Sequence, residues 1–242
     1  MSAGESTLDG FLGGRLTIAQ PKRGFRAGHD TVLLAAAVPA QSGSRALELG
    51  AGTGVASLCL AARVPGLDVL GIDADGHLVA LANENAARNG MADRVRFRTG
   101  DVLHFDGSGA FEHVFFNPPF YPASGQESPN SARDRATRDA DEALAAWMRA
   151  ALAAVKDGGT VTAIVRADRA SELLGAAEGF GAILFPFFPH AGESPKRTIV
   201  QVLKGGMEPL RSAAGLVLHQ ANGRNTEAAE AVLRGGAALR LD

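Results

Sequence analysis

The chain has 242 residues, 46% of them hydrophobic and 21% charged, with a formal net charge of −2. These values describe an ordinary globular protein with enough apolar residues for a full core, and they exclude a non-specific basic coat for nucleic acid while leaving local basic patches open. The start carries no basic region and apolar stretch of a secretion signal, no uncharged apolar run is long enough to cross a bilayer, and the lone Cys59 cannot close an internal disulfide; a cytoplasmic protein with no membrane partner is expected.

Residues 1–44 read as a hairpin plus one helix, which Asp30 or Thr31 can cap. From residue 45 apolar strands alternate with helical stretches. Arg45–Leu49 is a strand that runs into a glycine turn, and Val55–Arg63 is a helix. Residues 68–72 form a second strand ending at Asp73, and 74–88 a second core helix stopped by Asn89 and Gly90. Val95–Thr99 is a third strand, closed by Gly100 and Asp101, and Phe111–Phe116 a fourth, closed by Asn117, Pro118, Pro119 and Phe120. A long polar segment runs from Tyr121 to about Arg138. Then come a helix over 140–155, a strand over 159–166, a helix over 168–177 that Asp168 can cap, and strands over 182–187 and 198–204 joined by a hairpin or loop. The segment 210–242 adds a short extended stretch and a helix over 226–233. Such alternation predicts an α/β fold whose seven-stranded, mostly parallel sheet carries helices on both faces. With no linker in the middle, a single domain over 1–242 is expected, divided into an N-terminal hairpin and helix (1–44), a core (45–204) and a C-terminal extension (205–242).

Glu48, Leu49, Gly50, Ala51, Gly52, Thr53 and Gly54 stand where the first core strand turns into the first core helix. Glycines there let the backbone turn tightly and approach a ligand. A dinucleotide fingerprint needs a third Gly or Ala three residues after its second Gly, where this chain has Val55 or Ser57, and a phosphate loop needs a Lys-Ser/Thr pair that is missing. The next two strand ends carry Asp73, placed to accept from ribose hydroxyls, and Asp101, placed to meet an adenine amino group. Each aspartate alone could be a helix cap; three successive strand ends with Gly-rich, acidic and acidic features form a more specific pattern.

This pattern resembles the Rossmann-like class I methyltransferases, which use S-adenosylmethionine and release S-adenosylhomocysteine. The resemblance implies that residues 50–54, with Glu48, face the methionyl part of the cofactor, that Asp73 holds the ribose, and that Asp101 with Val102 borders the adenine. Asn117, Pro118, Pro119 and Phe120 resemble the Asn-Pro-Pro-aromatic signature of the amino-methyltransferases, which act on N6 of adenine, N2 of guanine or the amide of glutamine. An amine conjugated to a ring or carbonyl is a poor nucleophile, because its lone pair is shared with the π system. Two acceptors aimed at its N–H groups, the Asn117 side-chain oxygen and the Pro118 carbonyl, favour a more electron-rich nitrogen. Pro118 and Pro119 offer no N–H and stiffen the turn, and Phe120, with Tyr121, can stack on a flat acceptor. Attack is in line on the sulfonium methyl, so orientation supplies much of the acceleration. Neither a dedicated base nor a metal is needed, and the six histidines show no paired ligand spacing.

The flanks narrow the resemblance. Gly13 to Ile18, Gln20 to Arg26, and His29, Asp30, Thr31, Val32, Leu33, Leu34 and Ala35 are similar to the bacterial tRNA adenine-N6 methyltransferases that modify valine tRNA, as are residues 191–197 and 215–219. Members of that group often carry Tyr where Phe120 stands, and guanine-N2 enzymes of ribosomal RNA also use Phe, so the base stays open. Protein glutamine methyltransferases place a helical domain before the core, where this chain has only about 44 residues. Lys22, Arg23, Arg26, Arg133, Arg135, Arg138, Lys196 and Arg197 could hold RNA phosphates, Arg26, Arg133 and Arg135 being the substrate candidates beside Phe120 and Tyr121. Interleaved Asp134, Asp139 and Asp141 equally suit a solvated face. A cofactor-binding RNA chaperone is the non-enzyme alternative, and residues 117–120 would have no use in it.

Overall fold

A computed structural model describes residues 6–23, 26–118 and 131–241, the side chains of 131–141 excepted. The chain opens with an antiparallel hairpin of β1 (Ser6–Phe11) and β2 (Leu16–Pro21), followed by α1 (His29–Ala37). The core runs β3 (Arg45–Leu49), α2 (Val55–Arg63), β4 (Asp68–Asp73), α3 (Gly76–Arg88), β5 (Val95–Thr99) and β6 (Phe111–Phe116). It continues through α4 (Ser131–Ala154), β7 (Val155–Arg166), α5 (Ala170–Ala176), β8 (Gly181–Phe188) and β9 (Arg197–Leu203). Two-residue strands β10 (Arg211–Ser212) and β11 (Leu216–Val217) and helix α6 (Glu227–Leu233) end the chain.

The seven expected core strands form one sheet in the order β5-β4-β3-β6-β7-β9-β8. The expected total of seven is corrected to nine among the described residues, because β10 and β11 both pair with β8 in parallel. Strand β9 alone runs antiparallel, to β7 and β8, so residues 189–196 turn the chain between β8 and β9. The sequence reverses its direction of travel across the sheet at β3 and β6, and the crevice beyond their carboxyl ends is where an open α/β sheet takes its ligand.

Alternation along each strand divides the core in two. Val114 and Phe116 of β6, Val161, Ala163 and Val165 of β7, and Val200 and Val202 of β9 pack with α4 and α5. Phe115, Ile164 and Ile199 point the other way, into a cluster with α1, α2, α3 and α6.

Three capping and boundary expectations change. Helix α1 starts after Gly28 with no side-chain cap, and Asp30 accepts a 2.7 Å bond from Arg197 Nε instead, tying α1 to β9. Asp168 pairs with Arg166 within a 3-10 turn, and α5 starts only after Arg169. Helix α4 begins at Ser131, nine residues before 140, so part of the polar segment is helical.

One buried amide joins the hairpin to the core. Asn85, fully buried on α3, accepts the N–H of Ala19 at 2.8 Å and donates to the carbonyls of Ala19 and Thr53 at 3.0 and 3.1 Å. Asn89, one turn on, exchanges both bonds with the backbone of Thr17. The first strands are therefore anchored to the same helix that steadies the glycine turn.

Candidate active site

At the carboxyl ends of β3, β4 and β6 lies a cavity of about 570 Å³, within the usual ~300–1,000 Å³ of small-molecule sites. Glu48, Gly50, Ala51, Gly52, Thr53, Asp73, Asp101, Val102, Asn117 and Pro118 all line it. Gly54 does not; it caps α2 in the left-handed conformation (φ 81°), and a Cβ there would meet the Phe97 ring at 2.5 Å. Gly50 is left-handed too (φ 69°), and its missing Cβ leaves room for Trp147 of α4, whose Cη2 would stand 2.6 Å from that atom.

Asp73 organises the turn. Its Oδ2 accepts the N–H of Gly52 at 2.7 Å and its Oδ1 that of Asp75 at 2.9 Å, while Asp75 caps α3 on the N–H groups of His77 and Leu78. Asp101 accepts from the Leu103 N–H at 2.9 Å and shares a 2.7 Å bond with His104 Nδ1, and those two partners hold its carboxyl below the usual range. Both carboxylates keep lone pairs for further donors.

Glu48 is buried, with Oε2 accepting the Ser57 N–H at 3.0 Å and hydroxyl at 2.5 Å. Burial pushes its carboxyl up to about 8, against the opposing pull of the Ser57 bonds. The folded value exceeds the unfolded one, so the ligand-free protein should lose stability as pH rises from about 4.5 to about 8, and no further beyond. Thermal melts at pH 6 and pH 8 should show that loss in the wild type and its disappearance in Glu48→Gln; equal losses in both proteins would overturn this.

Asn117 directly follows β6, with its Oδ1 buried and lacking a hydrogen-bond partner among the described residues. A buried acceptor without a donor costs about 1–3 kcal/mol, and this one stands on the wall of the cavity. Pro119, Phe120 and Tyr121 lie outside the described residues, as do the side chains of Arg133, Arg135 and Arg138. Arg26 is placed elsewhere: it pairs with Asp9, donates to the Pro21 carbonyl at 2.8 Å, and lines a neighbouring cavity. Cys59 is buried, and burial pushes its thiol up, as suits an inert side chain.

Sequence reasoning missed Ala27 and Thr31, which close the cavity from the start of α1, and Leu78, Leu103 and Trp147. Trp147 reads as a core residue on an apolar helix; only the tertiary arrangement brings it over Gly50, 5.7 Å from the Phe116 ring. It is the single tryptophan of the chain, so filling the cavity should change its fluorescence. Titration with S-adenosylhomocysteine should give a saturable change that Asp73→Ala weakens at least tenfold; an unchanged spectrum would separate Trp147 from the binding site.

Among the described residues no helix is long and apolar enough to cross a membrane, and no group of three or more His, Cys, Asp or Glu is placed to hold a metal ion.

The tRNA1(Val) (adenine(37)-N6)-methyltransferase of Vibrio vulnificus strain YJ016 is 31% identical over 145 residues, 60% of this chain and 59% of that one. The matched stretch thus spans less than two thirds of that relative. The protein of the same name from Bacteroides thetaiotaomicron is 26% identical over 190 residues, covering 77% and 80%. Among solved structures, a predicted O-methyltransferase, Atu636 from Agrobacterium tumefaciens, superposes with a TM-score of 0.73 at 24% identity over 87% of this chain and 98% of that one, which establishes a shared fold. The family described as the methyltransferase small domain matches residues 26–174, from just before α1 into α5. The chain belongs to the methyltransferase small domain family.

Proposed function

We propose that the protein transfers the methyl group of S-adenosylmethionine to an exocyclic amine of a nucleic-acid base, adenine N6 in tRNA. The observation that carries this reading is the buried Asn117 Oδ1, without a partner among the described residues, on the wall of a cavity that also holds the glycine turn and Asp73. The names of the Vibrio and Bacteroides relatives support the base and the RNA.

The residues present fit the cofactor. Asp73 would take the ribose hydroxyls, Asp101 and Val102 the adenine, and the turn from Gly50 to Thr53 with Glu48 the methionyl end. When bound, the cofactor supplies a methyl carbon made electrophilic by its sulfonium sulfur. Asn117 Oδ1 and the Pro118 carbonyl would accept the two N–H groups of the amine and orient its lone pair for methylation. The positive charge that methylation would place on the nitrogen would be stabilised by the same two acceptors. Its surplus proton then leaves to water, the methylated amine cation being strongly acidic. Phe120 and Tyr121 would stack on the base, and Arg133 and Arg135 would hold the RNA backbone.

The test is incubation with labelled cofactor and total tRNA from cells lacking the gene, followed by nucleoside mass spectrometry. N6-methyladenosine in tRNA is expected; label confined to guanine, to ribosomal RNA or to protein glutamine would overturn the reading.

A further inference from the structure

A second cavity of about 580 Å³ lies beside the first, with Ala27 lining both. Three separate parts of the chain build it: the hairpin β1–β2, the start of α1, and the end of α6 with the turn before it. Its wall differs in kind from that of the cofactor cavity. His29 and Arg234 supply donors, Asn225 Nδ2 being held by Glu230 at 2.8 Å, and at Gly14 and Gly28 an added Cβ would meet nothing within 4 Å. The carboxylate in this wall, Asp9, is already matched by the Arg26 guanidinium and by Gln20 Nε2 at 2.8 Å. Arg234 is exposed and, among the described residues, its side chain pairs with Glu230 at 3.1 Å, one helical turn away, a contact worth little in water and easily exchanged for a phosphate.

We propose that this second cavity takes a nucleotide of the RNA that flanks the methylated base. The inference rests on the reading above that RNA is the substrate, and it adds where the strand runs once the target base is extruded. Successive nucleotides lie several ångströms apart, so a neighbour must fall next to the cofactor cavity, and a space sharing the Ala27 wall meets that requirement. Arg234 holds the phosphate, His29 reaches the sugar or base edge, and the Gly14 and Gly28 backbone leaves room for the flat ring. Both ends of the chain thereby contribute to substrate recognition.

The test compares wild type, Arg234→Glu, Arg234→Lys and His29→Ala in steady-state methylation of unfractionated tRNA. Cofactor affinity is followed by Trp147 fluorescence and folding by circular dichroism. Arg234→Glu should raise the KM for tRNA at least tenfold while kcat and cofactor affinity stay within twofold, and the slope of log affinity against log salt should fall by about one. Arg234→Lys should restore most of the loss, and His29→Ala should raise KM severalfold. An unchanged KM in folded, cofactor-binding Arg234→Glu and His29→Ala would overturn this site and leave the reading of the activity standing. A wild type that methylates no tRNA would overturn both together.

Discussion

Replacing Asn117 by alanine should lower kcat by about 10²–10³-fold while cofactor affinity stays within a few-fold. The magnitude is that of removing one preorganised polar group aimed at charge that develops in a transition state, ~2.7–4 kcal/mol. The separation of effects follows from geometry. Asp73 and the glycine turn hold each other through the Gly52 bond, and α2 and α3 start independently of β6. Asn117, by contrast, spends no hydrogen bond of its Oδ1 on the described protein, so its removal leaves no donor stranded there. Stability should therefore change little, or rise. Stopped-flow single-turnover rates and fluorescence titrations would measure the two effects; an equal loss of both would show that Asn117 builds the cofactor site and does not act on the amine.

Gly50→Ala should damage the protein in two ways at once. The left-handed backbone (φ 69°) costs a residue with a Cβ about 1–2 kcal/mol. That Cβ would also stand 2.6 and 3.0 Å from two carbons of the Trp147 ring, so the ring must move, and it is a wall of the cavity. We expect a lower Tm and a cofactor affinity reduced at least tenfold. In a double-mutant cycle with Trp147→Ala the losses should not add, because the second change removes what the first collides with. Additive losses would show that backbone strain alone is responsible.

Much of this arrangement is legible in the sequence, for physical reasons. Strands β3, β5 and β6 and helix α2 lie where apolar runs bounded by glycine, aspartate or proline put them, since each is fixed by local periodicity and local punctuation. The lining of the cavity by Gly50, Asp73, Asp101 and Asn117 follows from the parallel order, which brings successive strand ends to one edge. What escapes is set by distant partners. Asp30 looks like a helix cap until Arg197, 167 residues away, claims its carboxylate. Trp147 is indistinguishable from a core residue until α4 packs over β6. Strands of two residues, such as β10 and β11, carry no periodicity to read and exist only because the edge of β8 offers them a ladder. Helix α4 continues through a stretch too polar to predict from an apolar stripe.

The Asn85 junction bears on any attempt to dissect the molecule. A fragment excised to begin at Arg45 would retain the whole parallel sheet, yet it would leave the carboxamide on α3 without the Ala19 donor and acceptor that now satisfy it. Stripped of the strand that covers and orients it, the amide would no longer brace the turn it also supports through Thr53. Trimming or fusion strategies should therefore treat the leading ribbon as indivisible from the catalytic half, and place any new junction elsewhere, such as the exposed bend around Gly223.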